Sequence, residues 1–146
     1  MDELLGLLLE LIARVLGRRR DRLFAERLDA LAAAMKSGQA ISAKFQAALH
    51  ETMPGSSRPH RWKRGQVRIS PQAVIWERRG QVRNLTGSEC ASERQPDWSG
   101  ADRRLMVPGY QAASIQVLTV RIGRKEVELA APKQVIEVIR YCLADT

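Results

Sequence analysis

Along the chain the apolar positions keep two different periods, helical up to about residue 52 and alternating from Arg61 onward. At roughly 100° per residue, Leu4, Leu5, Leu8, Leu9, Leu11, Ile12, Val15 and Leu16 share one broad face. Glu3, Glu10, Arg14 and Asp21 form a narrow stripe opposite, and Glu10 and Arg14 stand at the favourable i,i+4 spacing. The pattern predicts an amphipathic helix with a leucine-dense face. Phe24, Leu28, Leu31 and Met35 continue the helical period on a stripe far around from the first. Either the helix breaks near Gly17 or one long helix touches different things on its two sides. Ser37-Gly38 is a stop signal, and a shorter helix is expected from Ser42 to Thr52, packing Phe45 and Leu49. "PGSSRPH" then reads as a linker, because Pro54, Gly55 and Pro59 all oppose helix.

Beyond it, "GQVRIS" sets Val67 and Ile69 on one side and Arg68 on the other, as a strand requires. Pro71-Gln72 turns the chain into "AVIWERRG", and Arg79-Gly80 offers a second turn into "QVRNLT". A polar stretch from about Gly87 to Asp102 leaves room for short strands, and "RRLMVPGY" is read as a further strand. "SIQVLTVRI" is the clearest strand. Its inward face switches at Val117-Leu118, which implies a bulge or burial on both sides. Gly123 to Lys125 turn it into "EVELA". The close, "PKQVIEVIRYCLADT", places Pro132 in a first helical turn and Val135, Ile136, Val138, Ile139, Cys142 and Leu143 on one apolar face.

These elements predict an α+β protein: an N-terminal helical segment over residues 1–53, a linker over 54–60, and a β-rich domain over 61–146. The last is expected to be an antiparallel sheet capped by an amphipathic helix, which resembles a pleckstrin-homology-like architecture. "RWKRGQVRIS" followed by "AVIWER", "ERQP" and "VELA" resembles an actinobacterial domain-of-unknown-function family, number 2550. The matching features are Trp62, Gly65, Arg68, Trp76, Arg78, Arg94 with Pro96, and Glu128-Leu129-Ala130, over about residues 61–144. The resemblance implies a membrane-associated protein with a basic juxtamembrane stretch. It brings no activity with it. Where that family has an uninterrupted membrane helix, this chain has the amphipathic segment.

A membrane-crossing helix needs about 20 apolar residues, because the hydrocarbon core is about 30 Å thick. Leu4 to Leu16 is shorter and is interrupted by Glu10 and Arg14. A secretory signal would carry positive charge first, whereas here Asp2 and Glu3 lead and the arginines follow. The leucine face therefore seeks a bilayer interface or a partner protein, including a second copy of the chain. Arg18, Arg19 and Arg20 behind it suit anionic headgroups, or simply the negative end of a helix.

Charge sharpens the picture. The net charge is +8, and residues 61–146 carry most of it: fifteen Lys/Arg against nine Asp/Glu, compared with nine against seven in residues 1–60. An anionic surface is the natural partner. Arg61, Trp62, Lys63 and Arg64 are the candidate contacts, since an indole beside basic groups suits a headgroup layer or a stacked base. The same cluster also has a purely structural reading, with Trp62 packed at the start of the sheet.

No catalytic constellation emerges. His50 and His60 lack a triad pattern, no Gly-rich phosphate loop occurs, and two distant cysteines, Cys90 and Cys142, make no zinc site. The chain is read as non-enzymatic, without cofactor or metal, and cytoplasmic with peripheral attachment at the inner face of the plasma membrane. Three functions stay open: a membrane-proximal binding or scaffold module, a soluble assembly component oligomerising through its first helix, and, less favoured, a nucleic-acid binder.

Overall fold

A computed structural model describes residues 22–34, 36–37, 42–51, 61–70 and 72–144. The leucine-rich face from Leu4 to Leu16, Arg18, Arg19 and Arg20, and the linker lie outside the described residues. No described helix is long and apolar enough to cross a membrane. Residues 22–34 form helix α1. Seven strands follow: β1 (Ala43–Glu51), β2 (Lys63–Ser70), β3 (Ala73–Arg78), β4 (Gln81–Asn84), β5 (Glu89–Arg94), β6 (Ile115–Ile122) and β7 (Lys125–Pro132). Helix α2 (Lys133–Ala144) closes the order.

The strands make one antiparallel sheet in the order β4-β3-β2-β1-β7-β6-β5. Two meanders, β1 to β4 and β5 to β7, meet where β1 pairs with β7. Helix α2 packs against β3 at one side of the sheet and against β5, β6 and β7 at the other. Strands lie about 4.8 Å apart, so β3 and β5 would be roughly 24 Å apart in a flat sheet, more than a helix of about 12 Å diameter can bridge. The sheet therefore curls around α2. This is the α+β, pleckstrin-homology-like arrangement that the strand pattern predicts.

The enclosed core joins Phe45 and Leu49 of β1, Val67 and Ile69 of β2, Val74 and Trp76 of β3, and Leu118 and Leu129 of β6 and β7. Val135, Ile136, Ile139 and Leu143 supply the face of α2, as its period requires, with Val138 and Cys142 partly buried beside them. Pro132 is the last residue of β7, so the helix begins one residue later than expected. Leu31 of α1 is fully buried in the same core, and Phe24 and Leu28 pack against it. The Arg27 guanidinium lies over the Phe45 ring at 5.4 Å and donates to the Lys44 carbonyl, tying α1 to β1.

The helix expected from Ser42 to Thr52 is instead β1, and it lies in the middle of the sheet. Phe45, Ala47 and Leu49 face the enclosed core, while Ala48 faces a second cluster on the outer side. A strand buried on both faces does not show a clean alternation, and its alanines carry high helix propensity. Tertiary pairing overrides that propensity. Ala47 sits opposite Gly65, and the Trp76 indole lies across this pair and donates to the Ala47 carbonyl at 3.1 Å. The small residues make room for the ring. The sheet thus draws its central strand from before the linker.

The second cluster lies on the outer face, where Ala48, Ile115, Val117 and Ala130 are covered by Leu105 and Val107. Those two belong to a long loop, residues 95–111, so "RRLMVPGY" is turn and loop rather than strand. Strand β6 is buried on both sides, Val117 outward and Leu118 and Val120 inward, which accounts for its switching pattern. Its pairing with β7 is regular, and the bulge is in its other neighbour, at Cys90/Ser92 of β5.

Candidate functional site

Antiparallel pairing brings the start of β2, the β3–β4 turn and the β6–β7 turn to one end of the sheet. That end is basic. Lys63, Arg78, Arg79, Arg124 and Lys125 stand there, with Arg79, Arg124 and Lys125 exposed. Arg79 and Gly80 both take positive φ, 40° and 84°, as a two-residue hairpin turn demands, and the arginine is held at its tip. Acidic groups near this end are Glu126 of β7, paired with Arg121 at 3.2 Å, and, at the end of β1, Glu51. Its hydrogen bond from Arg83 at 2.7 Å, reinforced by Lys63 and Lys125, holds its carboxyl below the usual carboxylate range.

Beside this end, the outer face of β2, β3 and β4 forms an open groove of about 780 Å³, lined by Trp62, Arg64, Gln66, Glu77, Arg78, Arg79 and Val82. Glu77, the acidic residue in that wall, is paired with Arg68 at 3.0 Å. Two of the four residues singled out from sequence, Trp62 and Arg64, line the groove, whereas Arg61 lies exposed before it and Lys63 turns to the end of the sheet. Arg78, Arg79, Arg124 and Lys125 were not among them. Turn arginines carry no signal until pairing shows which turns share an end.

Trp62 is half-buried and packs against the outer cluster. Its indole Nε1 donates to Asp102 Oδ1 at 3.2 Å, and its ring lies 5.5 Å from that of His50. Asp102 has no solvent exposure. Arg94 reaches it through Nη1 at 2.5 Å and reaches Glu128 Oε2 through Nε at 2.9 Å, and the Asp97 N–H donates to Asp102 Oδ2 at 2.8 Å. Burial opposes ionisation of Asp102, but these donors together keep its carboxyl below the usual range. The same pairing raises the Arg94 pKa. The network pins the 95–111 loop to the sheet. It also fixes the indole that walls the groove.

Among the described residues, no three His, Cys, Asp or Glu side chains converge as a metal site. Burial pushes the Cys90 thiol up, away from a reactive thiolate. The arrangement gathers exposed cationic side chains at one end of the sheet, which suits an anionic partner.

No family model matches the chain, and comparison with curated proteins gives no match. Among solved structures, the chain is similar to the apo structure of the activated truncation of Vav1, with 13% identity and a TM-score of 0.37. The match covers 86% of this chain and 32% of that one, so this chain spans about a third of its length.

Proposed function

We propose that the protein is a non-enzymatic binding module that docks the basic end of its curled sheet on an anionic membrane surface. The observation that carries this reading is the convergence of Lys63, Arg78, Arg79, Arg124 and Lys125 on one end, from three separate stretches of sequence. Cations at hairpin tips can meet a plane together, and each is worth about 1 kcal/mol near an anionic leaflet. The amphipathic pattern of Leu4 to Leu16 and the arginines behind it also suit a lipid surface. The resemblance to a membrane-associated family agrees with it.

Co-sedimentation of the full chain with phosphatidylcholine vesicles, with and without phosphatidylserine, tests the proposal. Pelleting should require the anionic lipid and fall with added salt. Changing Arg79, Arg124 and Lys125 together to glutamine should weaken it about 100-fold, following from about 1 kcal/mol per charge. Undiminished pelleting of that variant would remove the basic end from the interaction. Replacing Leu8 and Ile12 with glutamate separates any contribution of the first segment.

A further inference from the structure

We infer that the free edge of β4 is a docking site for an extended acidic peptide, which adds a strand to the sheet alongside the basic groove. This goes beyond membrane docking and concerns the neighbouring strand edge, which shares Arg78 and Arg79 with the basic end. The sheet ends in two edges, β4 and β5. Exposed edges invite strand addition, and proteins blunt them with bulges, covering elements or charge. Strand β5 is blunted twice. A bulge interrupts it at Cys90/Ser92, and α2 lies against it, with Arg140 Nη1 reaching Glu93 at 2.5 Å.

Among the described residues, strand β4 has neither a bulge nor a covering element, and Arg83 is its one charged side chain. Its pairing with β3 is regular, and among the described residues nothing pairs with its other side. Val82 is 55% exposed there, an apolar side chain on an open edge. The two-residue turn makes Arg78 and Gln81 the hydrogen-bonded closing pair. In antiparallel pairing such pairs alternate, so the N–H groups of Val82 and Asn84 point away from β3. The Val82 carbonyl is met by the guanidinium of Arg83 at 3.3 Å.

Charge selects the occupant. A second copy paired edge to edge would set Arg79 and Arg83 near their own kind. An incoming strand with acidic residues at alternate positions would instead face Arg64, Arg78 and Arg79 across the groove. Main-chain hydrogen bonds would supply the pairing, and the alternate side chains the selectivity.

The test uses the full chain and two acetylated octapeptides, one alternating glutamate with threonine and one alternating lysine with threonine. Amide resonances of Val82 and Asn84 should shift on titration with the acidic peptide and not with the basic one. Val82→Pro removes the outward N–H at a position where an edge strand tolerates proline, and should weaken acidic-peptide binding about tenfold, as one lost hydrogen bond would. Arg64→Gln should weaken it as well, without moving the site of the shifts. Shifts centred on β5, or equal binding of both peptides, would overturn the proposal. So would dimerisation of the free chain abolished by Val82→Pro, which would make a second copy the occupant.

Discussion

The indole nitrogen of Trp62 donates to the carboxylate of Asp102 at 3.2 Å, across forty positions of sequence, and joins the start of β2 to the loop over the outer face. Asp102 is fully enclosed, and one guanidinium, Arg94, bridges it to Glu128 on β7. A buried carboxylate is tolerated only when its lone pairs are met, and here the Trp62 indole, the Arg94 guanidinium and the Asp97 N–H meet them. The loop, the sheet and one wall of the basic groove therefore share a single polar anchor.

Replacing Asp102 with asparagine should destabilise the protein by about 2–3 kcal/mol, since charge-assisted bonds are lost while Arg94 keeps Glu128. The pH dependence has a defined sign. A carboxyl held below its ordinary value contributes stability fully above the unfolded pKa, about 3.9, and loses it as pH falls through the folded value. Thermal melts from pH 7 down to pH 2 should show the Asp102→Asn deficit shrinking below about pH 4. A constant deficit across that range would mean that ionised Asp102 is not what anchors the loop. Tryptophan emission should shift to the red in the variant as the loop loosens over Trp62.

Gly65 is required for its lack of a side chain. A Cβ there would come within 2.8 Å of the Trp76 ring and 2.5 Å of the Glu77 carbonyl oxygen, one of them backbone that cannot swing aside. Gly65→Ala should cost about 2–4 kcal/mol in denaturant titration, as overpacking in a closed core does. The double variant with Trp76→Phe should recover part of that loss, because the shorter ring withdraws from the site. A melting temperature equal to that of the unchanged protein would show that the ring does not lie over β2.

The central strand makes a test of the chain's organisation. A fragment beginning at Arg61 loses β1, and with it both the pairing to β2 and the pairing to β7. It should be unfolded by circular dichroism and by amide exchange, since two half-sheets would be left with open inner edges. A fragment beginning at Ser42 should regain the sheet, with reduced stability for want of Leu31 of α1. Cooperative folding of the shorter fragment would mean that the sheet closes without β1.

The local pattern of residues determined most elements by itself. Val67 and Ile69 alternate with Arg68, and the heptad-like spacing of Val135, Ile136, Ile139 and Leu143 needs only one buried face to be legible. The Arg79-Gly80 turn was legible for the same reason: local backbone preference decides it. Strand β1 was not, because Ala47 and Ala48 are buried on opposite faces, and which side of an alanine is covered depends on distant partners. Only the tertiary structure decided that Trp76 needs glycine and alanine beneath it, and that Asp102 belongs with Arg94, Glu128 and Trp62. It also decided that arginines in turns far apart in sequence share one end of the sheet. Periodicity is a property of neighbours along the chain, whereas strand order, burial on a second face and the convergence of charge are properties of neighbours in space.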